Sequence, residues 1–266
     1  MTLRLLVAHT PAERDAARRV EERVFLRAFG NTPEVMEREY GPYDSRSRFI
    51  AVIDDADGSA LGAARFVLPD DAGEVKTLTD VAGPPWHLSA DDVLGAAGLS
   101  GRPVWDVATL AVDPRFRTGR AGAELNLALC YAIGRYALDC HVPGLVAILD
   151  DRVLRLLQFM GLPWEPMAGA SSREYLGSPA STPCLFLVDD GTPSVRARRP
   201  DLVPGLVDGV FASITVDPAD LAPERGAPLP EPDPLPVSPL PPRRDTTGWR
   251  PPTSRGAELR AGAPGV

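Results

Sequence analysis

The sequence predicts an α/β fold in which helices pack on a mixed β-sheet. Residues 104–112 (VWDVATLAV) and 145–149 (LVAIL) are largely apolar, β-branched runs, and a segment with helical periodicity lies between them. A strand–helix–strand unit of this kind makes a right-handed crossover, which predicts that its two strands pair in parallel. Residues 49–53 and 60–68 flank the turn sequence Asp55-Ala56-Asp57-Gly58, which predicts an antiparallel hairpin in the same sheet.

One strand and two helices are predicted ahead of the hairpin. Residues 3–8 predict the strand. Thr10-Pro11-Ala12-Glu13 is a capping box with proline at the first helical position, so a helix begins there and is expected to end near Gly30. A second helix is predicted from Pro33 to Tyr40, where Gly41-Pro42 stops it.

Three more elements complete a domain that we place at residues 1–190. Ser89, followed by Ala90 and two aspartates, predicts the cap of a short helix. Residues 152–160 predict a helix that ends at Gly161, and residues 184–188 predict the last strand.

The composition changes after residue 190. Residues 191–222 predict a short helical extension, in which residues 201–213 form one helix. Residues 223–266 are dense in proline and cannot bury enough apolar surface to fold, so they are predicted to form a disordered, polyproline-like tail. A passive tail and a tail that docks a partner are both consistent with this composition.

Charge and composition narrow the class of protein. The 266-residue chain carries a formal net charge of -8, which disfavours nucleic-acid binding. Its three cysteines are widely spaced and its three histidines show no ligand spacing, so we expect no disulfide framework and no metal. No apolar run is long enough for a signal peptide or a membrane span, so we expect a cytoplasmic protein.

The loop between the first central strand and the helix after it has the features of a phosphate site. Residues 115–122 (RFRTGRAG) lead directly into the helix. Backbone N–H groups at a helix start lack intrahelical partners, and the helix dipole favours an anion there. Gly119 and Gly122 permit close approach of the backbone, while Arg117 and Arg120 add positive charge.

The run LAVDPRFRTGRAG resembles the acyl-CoA-binding motif of the GNAT (GCN5-related N-acetyltransferase) superfamily. That motif is Arg or Gln, two residues, Gly, one residue, then Gly or Ala. Anchored on Arg117, its last small residue is Gly122, but Arg120 replaces the central glycine. An ordinary strand-to-helix turn in another α/β protein is the alternative.

This resemblance implies a GNAT-like acyl-CoA N-acyltransferase fold, in which a central splayed pair of parallel strands receives acyl-CoA as co-substrate. The cofactor-binding residues that it implies lie on the first central strand and the loop: Leu110, Ala111, Val112, Arg117, Thr118, Gly119, Arg120, Ala121 and Gly122.

Other segments resemble the autoinducer-synthase and N-acyl amino acid synthase branch of that superfamily. They are residues 22–25 (ERVF), 39–44 (EYGPYD), 49–52 (FIAV), 61–69 (LGAARFVLP), 104–106 (VWD) and 154–163 (LRLLQFMGLP). The branch implies an acyl-CoA or acyl carrier protein donor and a small amino-acid-like amine as acceptor. Where the branch has Glu followed three residues later by Arg, this chain has Asp106 and Thr109, and Leu157 occupies the position of the usual acid tyrosine.

The chemistry implied needs few side chains, because a thioester is already activated. The amine must lose a proton, and the oxyanion needs a donor. Asp106 is the candidate that orients or deprotonates the amine, with a structural carboxylate as the alternative. A backbone N–H at Leu110 or Val112 is the candidate oxyanion donor. Arg65 is predicted to bind an acceptor carboxylate through both guanidinium arms, with a solvated strand residue as the alternative.

Strand alternation predicts that Asp106, Ala108, Leu110 and Val112 share one face of the sheet. Tyr175 lies in a predicted loop and either reaches the site or stays at the surface. An acyltransferase is the first interpretation. The missing motif residues favour a second, a catalytically inactive acyl-CoA-binding or sensor protein, and the proline-rich tail suggests a third, an interaction protein.

Overall fold

A mixed β-sheet with helices on both faces organises the computed structural model, which describes residues 2–116 and 119–223. The strands among these residues are β1 (Leu3–Val7), β2 (Ser47–Asp54), β3 (Ser59–Val67), β4 (Val104–Val112), β5 (Gly144–Asp150), β6 (Glu165–Pro166), β7 (Arg173–Tyr175), β8 (Ser178–Leu187) and β9 (Ile214–Val216). The helices are α1 (Pro11–Phe29), α2 (Pro33–Tyr40), α3 (Lys76–Ala82), α4 (Ala90–Ala96), α5 (Gly119–Asp139), α6 (Asp151–Phe159), α7 (Val188–Arg198) and α8 (Val203–Leu206).

The strand order confirms both predicted pairings. The sheet runs β6-β8-β5-β4-β3-β2-β1-β9, and β7 pairs with β8. Strands β2 and β3 form the antiparallel hairpin, and β4 and β5 are parallel. The parallel pairing is short, because only Val104–Asp106 of β4 pair with residues 144–146 of β5. Beyond Asp106 the two strands diverge, which gives the splayed pair that the family resemblance implies.

Local sequence signals set the helix ends where they were predicted. The Thr10 hydroxyl accepts a hydrogen bond from the Glu13 N–H, and the Glu13 carboxylate accepts one from the Thr10 N–H, which completes the capping box. Helix α1 then ends at Gly30, whose φ of 73° lies in the left-handed region. The Ser89 hydroxyl caps α4 by accepting from the N–H of Asp92.

Several elements differ from the sequence prediction. Helix α3 was not predicted, because its N-cap residue Val75 provides no side-chain cap. The helix expected over residues 201–213 is replaced by a 3₁₀ turn (Pro200–Leu202), the short α8 and strand β9, which pairs in parallel with β1. Gly209, with a φ of 67°, interrupts the helical path. Of the strand expected at residues 184–188, residues 184–187 belong to the longer β8 and Val188 begins α7. The last strand of the described residues is β9 instead.

The predicted domain boundary after residue 190 falls inside α7 (Val188–Arg198), so the helical extension begins within a helix that leaves β8. The predicted disordered tail lies, apart from residue 223, outside the described residues.

A β-bulge in β4 changes which of its side chains share a face. Arg65 of β3 pairs with Thr109, but the next residue, Phe66, pairs with Val107, so Ala108 is the extra residue. The expectation that Asp106, Ala108, Leu110 and Val112 share one face is therefore wrong.

The bulge instead sorts the side chains of β4 into two new groups. Trp105, Val107 and Val112 belong to the core beneath α5, and Leu110 packs against it. Ala111 packs with α1 on the opposite face, where Thr109 also contacts α1.

The turn between β7 and β8 gives a test of the packing around α1. The side-chain amide of Asn31 donates to the Leu176 carbonyl at 3.0 Å, and a Cβ at Gly177 would lie 2.3 Å from the Phe29 carbonyl oxygen. We expect Gly177→Ala to lower the free energy of unfolding by more than about 2 kcal/mol, because a clash adds to the usual cost of positive φ. Urea unfolding measures it.

Gly58→Ala is the matched control. Gly58 also has a positive φ, of 71°, but nothing lies within 4 Å of the added Cβ. Gly58→Ala should lower the free energy of unfolding by only about 1 kcal/mol. Equal losses for the two variants would show that the turn does not pack against α1 as described.

Candidate active site

The divergence of β4 and β5 opens a cavity of about 710 Å³ that has walls on both faces of the sheet. This volume is typical of small-molecule sites. One end is apolar and lies among α5, α6, α7 and β8; its walls include Ile133, Leu157, Met160, Trp164, Phe186 and Val188. The other end lies beside α1 and α3. Helix α1 contributes apolar walls there, and the polar side chains at this end are Tyr40, Lys76, Thr77, Asp80, Asp106 and Tyr175. We call these the apolar end and the polar end.

The polar end is built around Lys76, which is the only lysine of the chain and is buried. Its Nζ lies 2.6 Å from Asp80 Oδ2, 3.3 Å from Glu39 Oε2 and 3.3 Å from the Tyr175 hydroxyl. The Tyr175 hydroxyl also donates to Asp80, and the Tyr40 ring lies 5.4 Å from Nζ. Tyr175 therefore reaches the site, whereas the sequence did not single out the other four residues as site residues.

Ionisation at the polar end reflects burial and an excess of carboxylates. Burial lowers the pKa of Lys76, but the charges of Asp80 and Glu39 outweigh burial and raise it, so the ammonium stays charged. Burial raises the pKa of Tyr175 far above its usual value, and the neighbouring Tyr40 and Asp80 raise it further.

Asp106 links α3 to the cavity. Its carboxylate is fully buried and accepts hydrogen bonds from the Thr77 N–H at 2.6 Å and the Thr77 hydroxyl at 3.0 Å. It thus supplies, from a distant strand, the cap that α3 lacks locally. Burial raises the pKa of Asp106 to about 7, against the opposing effect of the Thr77 hydrogen bonds. The side chain also lines the cavity, so its geometry is consistent with both roles considered for it.

Arg65 does not lie where its predicted role needs it. Its guanidinium binds Glu21 of α1 through two contacts, of 3.0 and 2.5 Å, and is buried against the rings of Tyr40 and Phe49. The Thr109 hydroxyl donates to the same Glu21 carboxylate. The Arg65 guanidinium is buried and already bound to Glu21 of the same chain. This geometry matches neither predicted role, which were binding of an acceptor carboxylate and a solvated position on the strand.

The edge of β4 beyond Asp106 presents backbone groups to the gap. The Asp113 N–H donates to the Leu61 carbonyl of β3 at 2.8 Å. Successive residues of a strand direct their backbone N–H and C=O groups to alternate edges. The backbone groups of Ala111 are therefore directed toward β3, like those of Asp113, whereas the backbone groups of Leu110 and Val112 are directed toward the β5 side. Ala111 is thus turned away from the gap, contrary to its predicted place among the cofactor-binding residues.

Helix α5 begins at Gly119, seven residues after Val112, the last residue of β4. Gly119 opens the helix with a φ of 73°, Arg120 and Ala121 are exposed, and Gly122 is buried. The Asn126 side-chain amide donates to the Gly122 carbonyl at 2.8 Å. The predicted cofactor-binding residues Arg117 and Thr118 lie outside the described residues, so the phosphate site stays a prediction.

Two further findings concern residues 2–116 and 119–223, the part of the chain that the structure describes. That part of the chain holds no group of three or more His, Cys, Asp or Glu side chains arranged to bind a metal ion. None of its helices is both long and apolar enough to cross a membrane.

Comparison with known proteins establishes the fold. No protein-family model and no curated protein matches the sequence. The solved structure of FeeM, an N-acyl amino acid synthase from uncultured soil microbes, is similar, with 14% identity and a TM-score of 0.55 over 72% of this chain and 93% of FeeM. BjaI, a CoA-dependent acyl-homoserine lactone synthase solved with SAM and isopentyl-CoA, gives 15% identity and a TM-score of 0.47 over 81% and 93% of the two chains.

A putative GNAT-family acetyltransferase from Desulfovibrio desulfuricans gives 15% identity and a TM-score of 0.42, over 70% of this chain and 99% of the other. Sequence identities this low indicate similarity of fold alone. The α/β mixed sheet, the splayed strands and the similarity to FeeM together confirm the predicted GNAT-like fold.

The Arg65–Glu21 pair gives a stability test. We expect Arg65→Ala to lower the free energy of unfolding by about 3–5 kcal/mol, because it leaves the Glu21 carboxylate buried without its cation. Arg135→Ala is the control: it breaks an exposed pair with Asp139 and should cost less than about 1 kcal/mol. Urea unfolding compares the two. A stable Arg65→Ala variant with a raised KM for the acceptor would instead support the role predicted from the sequence.

Proposed function

We propose that this protein is an N-acyltransferase that moves an acyl group from acyl-CoA or acyl carrier protein to the amine of a small amino-acid-like acceptor. The observation that carries the proposal is the single cavity through the gap between β4 and β5. Its apolar end suits an acyl chain, its polar end suits an amine, and the β4 backbone lies between the two. A thioester carbonyl in the gap therefore meets the amine from the opposite side of the sheet.

The gap offers a donor for the tetrahedral oxyanion. The N–H of Leu110 is directed toward the β5 side, where pairing between the two strands has ended. A backbone donor fixed in a strand needs no reorganisation as negative charge develops on the oxygen.

The reaction releases one proton overall. An ammonium acceptor first loses a proton, and the nitrogen lone pair then attacks the thioester carbonyl carbon. A C–N bond forms, the C–S bond breaks, and the departing thiolate takes the second nitrogen proton to leave as a thiol. Asp106 is the group at the polar end that we assign to accept the first proton, directly or through one water, because a pKa of about 7 suits transfer near neutral pH.

Asp106→Asn tests this assignment. In the native enzyme, kcat/KM should rise with an apparent pKa of about 7 as the carboxylate forms. The variant should lose about a hundredfold or more in turnover, together with that pH dependence, while acyl-CoA affinity is retained. Thiol release across pH 5–9 and calorimetry with acyl-CoA give the two readouts. Unchanged turnover would leave Asp106 with a structural role only.

The stability of the same variant provides an internal control. The pKa of Asp106 is about 7 in the folded protein, against an ordinary value of 3.8, so the folded state holds the proton more tightly. The protonated Asp106 carboxyl therefore makes its full contribution to the free energy of unfolding below about pH 4, and this contribution is lost as the pH rises to about 7. The native protein should lose stability relative to Asp106→Asn over that interval.

A second test fills the apolar part of the cavity. Gly134 of α5 lines the cavity, and no atom lies within 4 Å of the position that a Cβ would occupy. Gly134→Leu should reduce kcat/KM for long acyl-CoAs at least tenfold and leave acetyl-CoA nearly unaffected. Gly134→Ala is the control, because it adds one methyl group and raises helix propensity by about 1 kcal/mol.

Kinetics over an acyl-CoA series from two to fourteen carbons measure the effect. Full activity of Gly134→Leu on long chains would show that the acyl chain does not occupy this end. Binding of acyl-CoA with no thiol release from any amine would favour the inactive binding protein instead.

A further inference from the structure

Carboxylates outnumber cations at the polar end when Asp106 is ionised. Glu39, Asp80 and Asp106 provide three carboxylates. The exposed Arg38 guanidinium lies 3.3 Å from Glu39, and the Lys76 ammonium lies 2.6 Å from Asp80. Asp106, when ionised, is therefore the carboxylate that is left without a cation. Uncompensated charge in a partly buried site is costly, which favours a ligand that supplies the missing positive charge.

The cations around the cavity already have partners. Among the described residues that line it, the other cations are Arg135 and Arg152, which pair with Asp139 and Asp150. Arg65, behind the polar end, is bound to Glu21. A carboxylate attached next to the acceptor nitrogen would therefore lie among the carboxylates of the site without a cation to receive it.

The aromatic groups reinforce this preference. The rings of Tyr40 and Tyr175 lie 5.4 and 5.9 Å from the Lys76 ammonium, and both residues line the cavity. The Tyr40 ring also lies 5.0 Å from the Arg65 guanidinium, so it already contacts two cations, and Tyr175 is the ring that suits a further one. The position between Asp80 and Asp106 thus offers an ammonium two carboxylates and the ring of Tyr175.

We infer that the acceptor is a cationic amine that carries no free carboxylate beside its nitrogen, such as a decarboxylated amino acid or an amino-acid ester. The ammonium binds between Asp80 and Asp106 at the polar end, and Lys76 serves to position Asp80. The inference rests on the proposed acyltransferase function and narrows its acceptor from an amino-acid-like amine to this class.

Matched acceptors test the inference on the native full-length protein. Phenylalanine is compared with phenylalanine methyl ester and phenethylamine, and tyrosine with tyrosine methyl ester and tyramine, all with a common acyl-CoA. We expect kcat/KM for the esters and amines to exceed that for the free amino acids at least tenfold. Equal values, or a preference for the free amino acids, would overturn the inference.

Calorimetry without acyl donor provides an arm that does not need turnover. Phenethylamine should bind more tightly than phenylalanine, and Asp80→Asn should weaken phenethylamine binding at least tenfold. Asp139→Asn, which removes a partly exposed carboxylate from α5, is the matched control and should not change it. If Asp80→Asn does not fold, the comparison of the two ligands on the native protein decides the question.

The two proposals fail separately. If no acceptor in the panel releases thiol, the acyltransferase function fails, and calorimetry alone decides the charge preference. If thiol is released but the free amino acids are the better substrates, the function stands and the acceptor class is wrong. Absence of phenethylamine binding overturns the acceptor class under either outcome.

Discussion

The candidate site depends on the point at which β4 and β5 stop pairing. The two strands share only a three-residue ladder and then diverge, and the cavity occupies the space that a full ladder would close. The bulge at Ala108 also shapes the cavity, because it shifts the alternation of β4 side chains between the two faces of the sheet by one residue. Asp106 and Thr109 then lie on the α1 and α3 face, while Leu110 and Val112 lie toward α5. The cavity is therefore polar at one end and apolar at the other.

The polar groups beneath α1 and α3 hold these elements on the sheet and also define the site. Glu21 ties α1 to β3 through Arg65 and to β4 through Thr109. Asp106 ties α3 to β4 through Thr77, and the first residue of α3 is Lys76. Since α3 carries both Lys76 and Asp80, the capping contact that stabilises the helix also fixes the charge pattern of the polar end.

The polar end is not arranged for packing alone. Its three carboxylates accompany two cations, Lys76 and the exposed Arg38, and a further cation or apolar side chains would balance the charges better. Burial raises the pKa of Asp106 to about 7, so a carboxyl group that ordinarily ionises near pH 4 ionises near neutral pH. Perturbed groups facing a cavity are characteristic of functional sites, although structural ion pairs also perturb pKa values.

The sequence by itself determined the features that depend on neighbouring residues: the capping box of α1, the glycine that ends it, the bounds of α2 and β4, the hairpin and the parallel crossover. The tertiary structure decided the features that depend on distant partners. The bulge is visible only when β4 is aligned with β3, the cap of α3 comes from a strand 29 residues away, and Glu39, Lys76, Asp80 and Tyr175 come from separate parts of the chain. Arg65 was recognisable as a notable cation, but its partner Glu21 was not, because no local pattern records which carboxylate a folded chain brings to a buried guanidinium.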